Sequence, residues 1–391
     1  MNIKYVNSQI TGTIYVKSNT DIRISNNELV LASTKIEDYY TDYSLFIDPC
    51  NNEFGRSLFF ANGAENIKIS GGKNSIISGQ GATWKTSKDY IRRPSLIRFV
   101  NCKNVELTDL SLFDSPCWTI HLLNCENVKI TNINIVSKWC GNNDGIDIDG
   151  CRDVYVSNCT IDSGDDALVI KNTKNIECKN IVIENCKINT GWAAFKIGTE
   201  SVGDFKNIVF KNNTVVRANG CAFKIVPTDG GCVDNVLISD IEVLNATGPI
   251  FIANGERKKT YYADSVNNNL SKISDVTIRN VKCNVYIGGT EVDSMKGKGV
   301  VFASGTERNK IKNLTIENCE FRMPGGENYD GEYYVSELTD QYPEYYALGV
   351  TPAYGAFMRH IDGLKIENVK YDLKAEDSRK ESVFEDVKLK D

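Results

Sequence analysis

The sequence predicts an all-β chain wound as a single-stranded, right-handed parallel β-helix, a solenoid occupying residues 1–391 as one domain. Three observations carry this expectation. A short motif led by Asn or Asp recurs along the chain, most copies alternate apolar with polar residues, and the early copies advance by a nearly constant step.

Asn66-Ile67-Lys68-Ile69 returns as Asn104-Val105-Glu106-Leu107 and as Asn127-Val128-Lys129-Ile130. Asp153-Val154-Tyr155-Val156, Asn180-Ile181-Val182-Ile183, Asn207-Ile208-Val209-Phe210 and Asn235-Val236-Leu237-Ile238 continue it. Weaker copies follow at Asp275-Val276-Thr277-Ile278, Asn313-Leu314-Thr315-Ile316 and Gly363-Leu364-Lys365-Ile366. From Val105 the apolar anchors advance by 23, 26, 27, 27 and 28 residues, then by 40, 38 and 50. A period-2 pattern marks a strand with one buried face. Strands this short persist only when stacked on their copies, which is how a solenoid builds its core. Asn and Asp tolerate the turn geometry that separates the strands of a coil. A leucine-rich solenoid lacks support, because the anchors are mostly Val and Ile, residues that favour strands. The longer late steps call for insertions near 262–269, 295–310 and 324–350, placed to wall a groove.

Composition excludes several classes. Charged residues make up 25% and hydrophobic residues 41%, which is ordinary for a globular chain. The net charge of −6 is mixed along the sequence and offers no basic stripe for nucleic acid. No apolar run reaches membrane-spanning length, so no membrane partner is expected. The opening Met1-Asn2-Ile3-Lys4-Tyr5 passes into a strand pattern without a signal-like apolar stretch, so a cytoplasmic location is expected. Thirteen cysteines lack a compact disulfide spacing, and several occupy equivalent repeat positions, namely Cys102, Cys125, Cys159 and Cys186. They read as free thiols stacked in a core. The first coil lies close to the chain start, and a solenoid end needs covering; residues 36–47 as a local cap, or a second copy of the chain, would cover it.

The chemistry concentrates in two neighbouring stretches, Cys140-Gly141-Asn142-Asn143-Asp144-Gly145 and Ser163-Gly164-Asp165-Asp166-Ala167. Asp144 and Asp165 lie 21 residues apart, close to one coil, so their side chains can meet around one cleft. Adjacent Asp165 and Asp166 would face opposite sides of a regular strand, so convergence requires a turn or bulge, with Gly164 supplying freedom. Taken alone, such a cluster suits glycoside hydrolysis, the capping of turns, or calcium binding.

The ordered series of motifs narrows these readings. Ser115-Pro116-Cys117-Trp118-Thr119-Ile120-His121, Asn142-Asn143-Asp144-Gly145-Ile146-Asp147, Gly164-Asp165-Asp166, Gly198-Thr199-Glu200 and Gly230-Gly231-Cys232-Val233-Asp234-Asn235-Val236 follow one another along the chain. From about Gly12 to Leu389 the sequence resembles the glycoside hydrolase family that contains polygalacturonases and rhamnogalacturonan hydrolases. The resemblance implies Asp165 as general acid, with Asp144 and Asp166 positioning or deprotonating water, and inversion at the anomeric carbon. A water between acid and base calls for carboxyl groups about 6.5–9.5 Å apart.

The sequence departs from that family at two places. Its Gly-His-Gly segment is replaced by Gly191-Trp192-Ala193, and Trp192 stands where the histidine would be. Its Arg-Ile-Lys segment aligns with Ala222-Phe223-Lys224, so the arginine is absent while the lysine is kept. Arginine suits a planar carboxylate, whereas lysine offers a point charge. Asn142, Lys171, Trp192, Lys196, Lys224, Arg257 and Tyr354 are the expected substrate contacts. His121 is expected to be structural.

Two separated histidines and scattered cysteines make no zinc site, and no dinucleotide or phosphate-loop signature occurs, so neither metal nor cofactor is expected. The expected activity is therefore an inverting hydrolase of pectic oligosaccharides, particularly rhamnogalacturonan-derived ones, with exo action suggested by the late insertions. A polysaccharide lyase or epimerase on the same fold, and an inactive carbohydrate-binding solenoid, are the alternatives.

Overall fold

The computed structural model describes residues 7–286, 299–328 and 333–390. Among the described residues it is nearly all-β, with one short α-helix at Gly81–Trp84. By its contacts the chain divides into two compact units, Met1–Ile170 with Cys178–Thr190, and Lys171–Glu177 with Gly191–Asp391.

In the first unit each coil contributes three strands to three parallel stacks. Ser57–Asn62, Ser95–Val100, Ile120–Leu123 and Ile146–Asp149 form one stack. Glu65–Ser70, Lys103–Thr108, Glu126–Thr131, Arg152–Ser157 and Cys178–Glu184 form the second. Ile76–Ser78, Ser111–Phe113, Asn134–Ser137, Thr160–Ser163 and Lys187–Thr190 form the third. The expected register holds, with Val105 opposite Val128, Val128 opposite Val154, and Val154 opposite Ile181. In the second unit Ile208 faces Val236, which faces Val276, which faces Leu314. Each anchor is buried, and burying a Val, Ile or Leu side chain stabilises by about 1.5–3 kcal/mol relative to exposure.

The recurring asparagines serve two purposes at one corner. Asn66, Asn104, Asn127, Asp153, Asn180, Asn207 and Asn235 all adopt φ between +53° and +58°. Asn and Asp enter this left-handed region more readily than other side chains. Their side chains then bond from coil to coil, Asn104 Nδ2 donating to Asn66 Oδ1 at 2.9 Å and Asn127 Nδ2 to Asn104 Oδ1 at 2.8 Å. The second unit repeats the contact from Asn235 to Asn207 at 2.8 Å.

All thirteen cysteines are free thiols, and Cys102, Cys125 and Cys151 are fully buried. The Cys125 backbone N–H donates to Cys151 Sγ at 3.2 Å, so the thiols also accept hydrogen bonds inside the core.

The insertions need one correction. Within the expected 295–310 loop, residues 295–298 lie outside the described ones, and Val301–Ser304 is a core strand. It pairs with Ile250–Ala253 and with the strand beginning at Ala353. Val300-Val301-Phe302-Ala303 is buried on both faces and so shows no alternation for a period-2 reading to detect. Residues 262–269 are irregular. The 324–350 stretch, of which 329–332 lie outside the described residues, ends in a 3₁₀ turn at Tyr345–Leu348. Tyr345 and Leu348 insert into a core with Phe251, Phe302 and Phe357, which anchors that end of the insertion.

Candidate active site

In the first unit the carboxylates of Asp144, Asp165 and Asp166 converge, each offering an oxygen within 4.8 Å of the others. They sit on two turns stacked one above the other. The Gly145 N–H donates to Asp166 O at 2.9 Å and the Ile146 N–H to Ala167 O at 2.9 Å, tying the turns together. The glycines permit this approach by having no side chain. A Cβ on Gly145 would stand 2.4 Å from the Ala167 carbonyl oxygen, and one on Gly164 would stand 2.6 Å from Asn143 Oδ1. Gly164 lies outside the left-handed region, so its contribution is space rather than the conformational freedom expected from sequence.

Asp165 is held from several sides. Its carbonyl accepts from the Ser163 hydroxyl at 2.7 Å and from the Thr190 hydroxyl, and its Oδ1 accepts the Asp166 N–H at 2.8 Å. Asn142 Nδ2 faces Asp165 Oδ2 at 3.5 Å. That orientation is imposed from behind, because Asn142 Oδ1 accepts from Arg93 Nη2 at 3.0 Å and from Asn52 Nδ2 at 3.1 Å. Arg93 is itself buried against carbonyls, donating to Pro116 O at 2.6 Å and Gly141 O at 2.7 Å. Asp144 and Asp166 are buried, at 3% and 2% exposure, whereas Asp165 is partly open.

The second unit holds a dense cation cluster. Lys171 Nζ lies 3.3 Å from Glu200 Oε2. Burial would raise the Glu200 carboxyl, but the charges of Lys171, Lys196 and Arg257 outweigh it and hold it down at about 2. Arg257 grips Asp229 with two contacts, at 3.0 and 2.6 Å, and donates to the Tyr261 hydroxyl at 2.7 Å and the Thr199 carbonyl at 3.1 Å. Lys196 Nζ donates to the Tyr342 hydroxyl at 3.0 Å, and the ammonium of Lys224 pairs with Glu344 at 2.7 Å. The Tyr342 ring centroid stands 5.5 Å from Lys196, 5.6 Å from Lys224 and 5.6 Å from Arg257, within cation–π range of all three. Trp192 Nε1 faces the same Glu344 oxygen at 3.4 Å.

The structure thus brings Asn142 to the aspartates, and gathers Lys171, Lys196, Lys224, Arg257 and Trp192 into the second unit's cluster. Tyr354 lies outside that cluster; its hydroxyl faces Glu381 at 3.4 Å. His121 is fully buried, its ring between Arg98 and Asp149, the latter at 3.3 Å. Sequence reasoning missed Arg93, Asn52, Tyr342 and Glu344. Arg93 had one local signal, a charged pair Arg92-Arg93 set directly before Pro94. Tyr342 and Glu344 fall in residues 341–349, a stretch whose resemblance to exo-acting branches pointed to chain-end action without marking either residue as a contact.

Fold and site together define a carbohydrate-active parallel β-helix protein. The chain belongs to glycosyl hydrolases family 28, whose family profile matches residues 49–321. It is 23% identical over 303 residues to a probable polygalacturonase of Arabidopsis thaliana, covering 74% of this chain and 65% of that protein. It is 27% identical over 230 residues to a polygalacturonase of Persea americana, covering 56% and 48%. The chain therefore spans less than two thirds of the length of these relatives. Its fold is similar to that of an exopolygalacturonase from Thermotoga maritima, with TM-score 0.71, 20% identity, and 94% and 83% of the two chains covered. A family 28 exopolygalacturonase from Yersinia enterocolitica gives TM-score 0.72 at 16% identity, covering 98% of this chain and 70% of that one.

Proposed function

We propose that this chain hydrolyses pectic oligosaccharides from a chain end, with inversion, and that rhamnogalacturonan-derived oligosaccharides are among its substrates. The observation that carries the reading is the meeting of Asp144, Asp165 and Asp166 around one space, with Asp165 the most open of the three. Asp165 is the acid. Asn142 can only donate toward its Oδ2, so a proton on that oxygen is directed away from the amide, where a glycosidic oxygen would lie. Asp144 and Asp166, more deeply buried, hold and activate the water. Two hydrogen bonds to one water oxygen span up to about 5.6 Å, so carboxylate oxygens within 4.8 Å of each other suit a bent bridging water.

Family membership and the polygalacturonase names of its relatives support the pectic assignment. The exopolygalacturonase names of two fold neighbours, and the anchored insertion ending at Tyr345, support action from a chain end. Loss of the family's histidine and arginine positions supports a substrate other than plain galacturonan.

Digestion of galacturonan- and rhamnogalacturonan-derived oligosaccharides, with product masses and the anomer of the first product read by proton NMR, tests the reading. Inverted, water-added products released singly from one end are expected. A retained anomer overturns inversion, an unsaturated sugar overturns hydrolysis, and internal cleavage overturns exo action.

A further inference from the structure

Lys224 is almost fully buried, at 1% exposure, and its ammonium is already matched by a carboxylate of the same chain. That carboxylate, Glu344, lies 2.7 Å away with a side chain 9% exposed. Its place is not a matter of loop drift. The following residue, Tyr345, is buried at 1%, and its hydroxyl accepts the Val300 N–H at 2.7 Å. The Ala347 N–H donates back to Glu344 O at 3.0 Å, closing the 3₁₀ turn that starts there. Glu344 is thus fixed to the core from one side and to Lys224 from the other.

We infer that Glu344 is a specificity-determining residue that takes, from within the chain, the position of a sugar carboxylate at Lys224, and so selects an uncharged sugar there. The inference rests on the hydrolase reading above and narrows its substrate. A uronate brought toward Lys224 meets a lysine whose charge is already balanced, and meets it beside a like charge in a poorly hydrated setting. A neutral sugar suffers neither penalty. What the pair offers outward is a hydroxyl acceptor, the Glu344 carboxylate, next to two aromatic rings. Trp192 is partly exposed and Tyr346 is 43% exposed, with ring centroids 6.3 Å apart at 72°. An acceptor beside aromatic faces fits the hydroxyls and C–H face of a neutral pyranose. Tyr342, between Lys196, Lys224 and Arg257, further covers the cations that would otherwise draw in an acid.

The test compares binding of trigalacturonate with its carboxyl-reduced counterpart, galactotriose, by calorimetry on the full chain. Cleavage of matched oligosaccharides is measured in parallel. Wild type is expected to bind the neutral trimer more tightly. Glu344→Gln keeps the shape, removes the charge and frees Lys224, and should shift the Kd ratio toward the acid by at least about tenfold, equivalent to about 1.4 kcal/mol. Glu344→Asp, which keeps the charge, should retain the neutral preference. A wild-type preference for trigalacturonate, or an unchanged ratio in folded Glu344→Gln, overturns the inference. If Glu344→Gln does not fold, Lys224→Met serves instead. Removing the lysine leaves Glu344 as an unbalanced anion and should deepen the discrimination against acid, and weakened discrimination overturns the inference. Binding that shifts as expected while no oligosaccharide is cleaved would sink the hydrolase reading and leave this one standing.

Discussion

Arg93 decides which end of the Asn142 amide faces the aspartates. Its Nη2 donates to Asn142 Oδ1 at 3.0 Å, and an oxygen that accepts there leaves only the nitrogen to point at Asp165. The buried guanidinium thus acts on Asp165 through the Asn142 amide, as a positioning residue.

Asn142→Asp should separate these two contacts. The new carboxylate still accepts from Arg93 but loses its donation to Asp165 and adds a fourth carboxyl group to the cluster. We expect turnover to fall by at least about tenfold, and the alkaline limb of the pH–rate profile, where the acid loses its proton, to move upward, as crowding of like charges requires. An unmoved alkaline limb in a folded variant would mean that Asn142 does not act on the acid.

Asp165→Asn should lower turnover by roughly 10²–10⁴-fold if it supplies the proton. A substrate with an activated leaving group needs less protonation, so it should rescue Asp165→Asn more than Asp166→Asn. Equal rescue, measured on variants with unchanged melting temperatures, would dismantle the proposed split between acid and water-activating base.

Gly145→Ala should loosen the stacked turns. Its Cβ would meet the Ala167 carbonyl oxygen at 2.4 Å and Ile161 Cγ2 at 2.8 Å, and backbone cannot rotate aside as a side chain can. Overpacking of this kind costs typically 1–3 kcal/mol. Thermal denaturation should show that loss, and activity should fall with it because the strain separates Asp144 from Asp165 and Asp166.

Glu200 ties stability to acid pH. Its carboxyl is depressed from 4.5 to about 2 in the folded chain, so folding favours the ionised form. The stabilisation, roughly 3 kcal/mol, is fully present above pH 4.5 and is lost as pH falls through that value toward 2. Melting curves between pH 2 and 6 should slope accordingly in wild type and flatten in Glu200→Gln. The variant should also melt lower at neutral pH, because Lys171 loses a buried counter-charge. A wild-type slope retained in the variant would assign the acid sensitivity elsewhere.

The scaffold was legible because its cause is local and repeated. One alternating strand and one left-handed Asn per coil report directly on the second stack, and Val105, Val128 and Val154 fell into register as their spacing required. The Val301–Ser304 strand was hidden because burial on both faces erases alternation. The meeting of Asp144 with Asp165 followed from coil length. Arg93 and Glu344 did not, since each sits in non-repeating chain outside the strand pattern, and only packing brings Arg93 to Asn142 or Glu344 to Lys224.

The asparagine corner also behaves as a ruler. In the second unit the step between anchors grows from 28 to 40 and then 38 residues, yet Val236, Val276 and Leu314 remain face to face. At that corner Asn313 still donates to Asp275 at 2.9 Å, and at the far end of the same strands Asn280 donates to Asp240 at 2.8 Å. The residues added between Val236 and Val276 fall in the irregular stretch 254–271, away from that corner. A protein engineer splicing in a foreign loop, or a whole coil, should therefore leave the asparagine edge uncut and join the chain elsewhere. Lineages that reshape the cleft face the same geometry, which lets one edge vary freely while the other keeps the count.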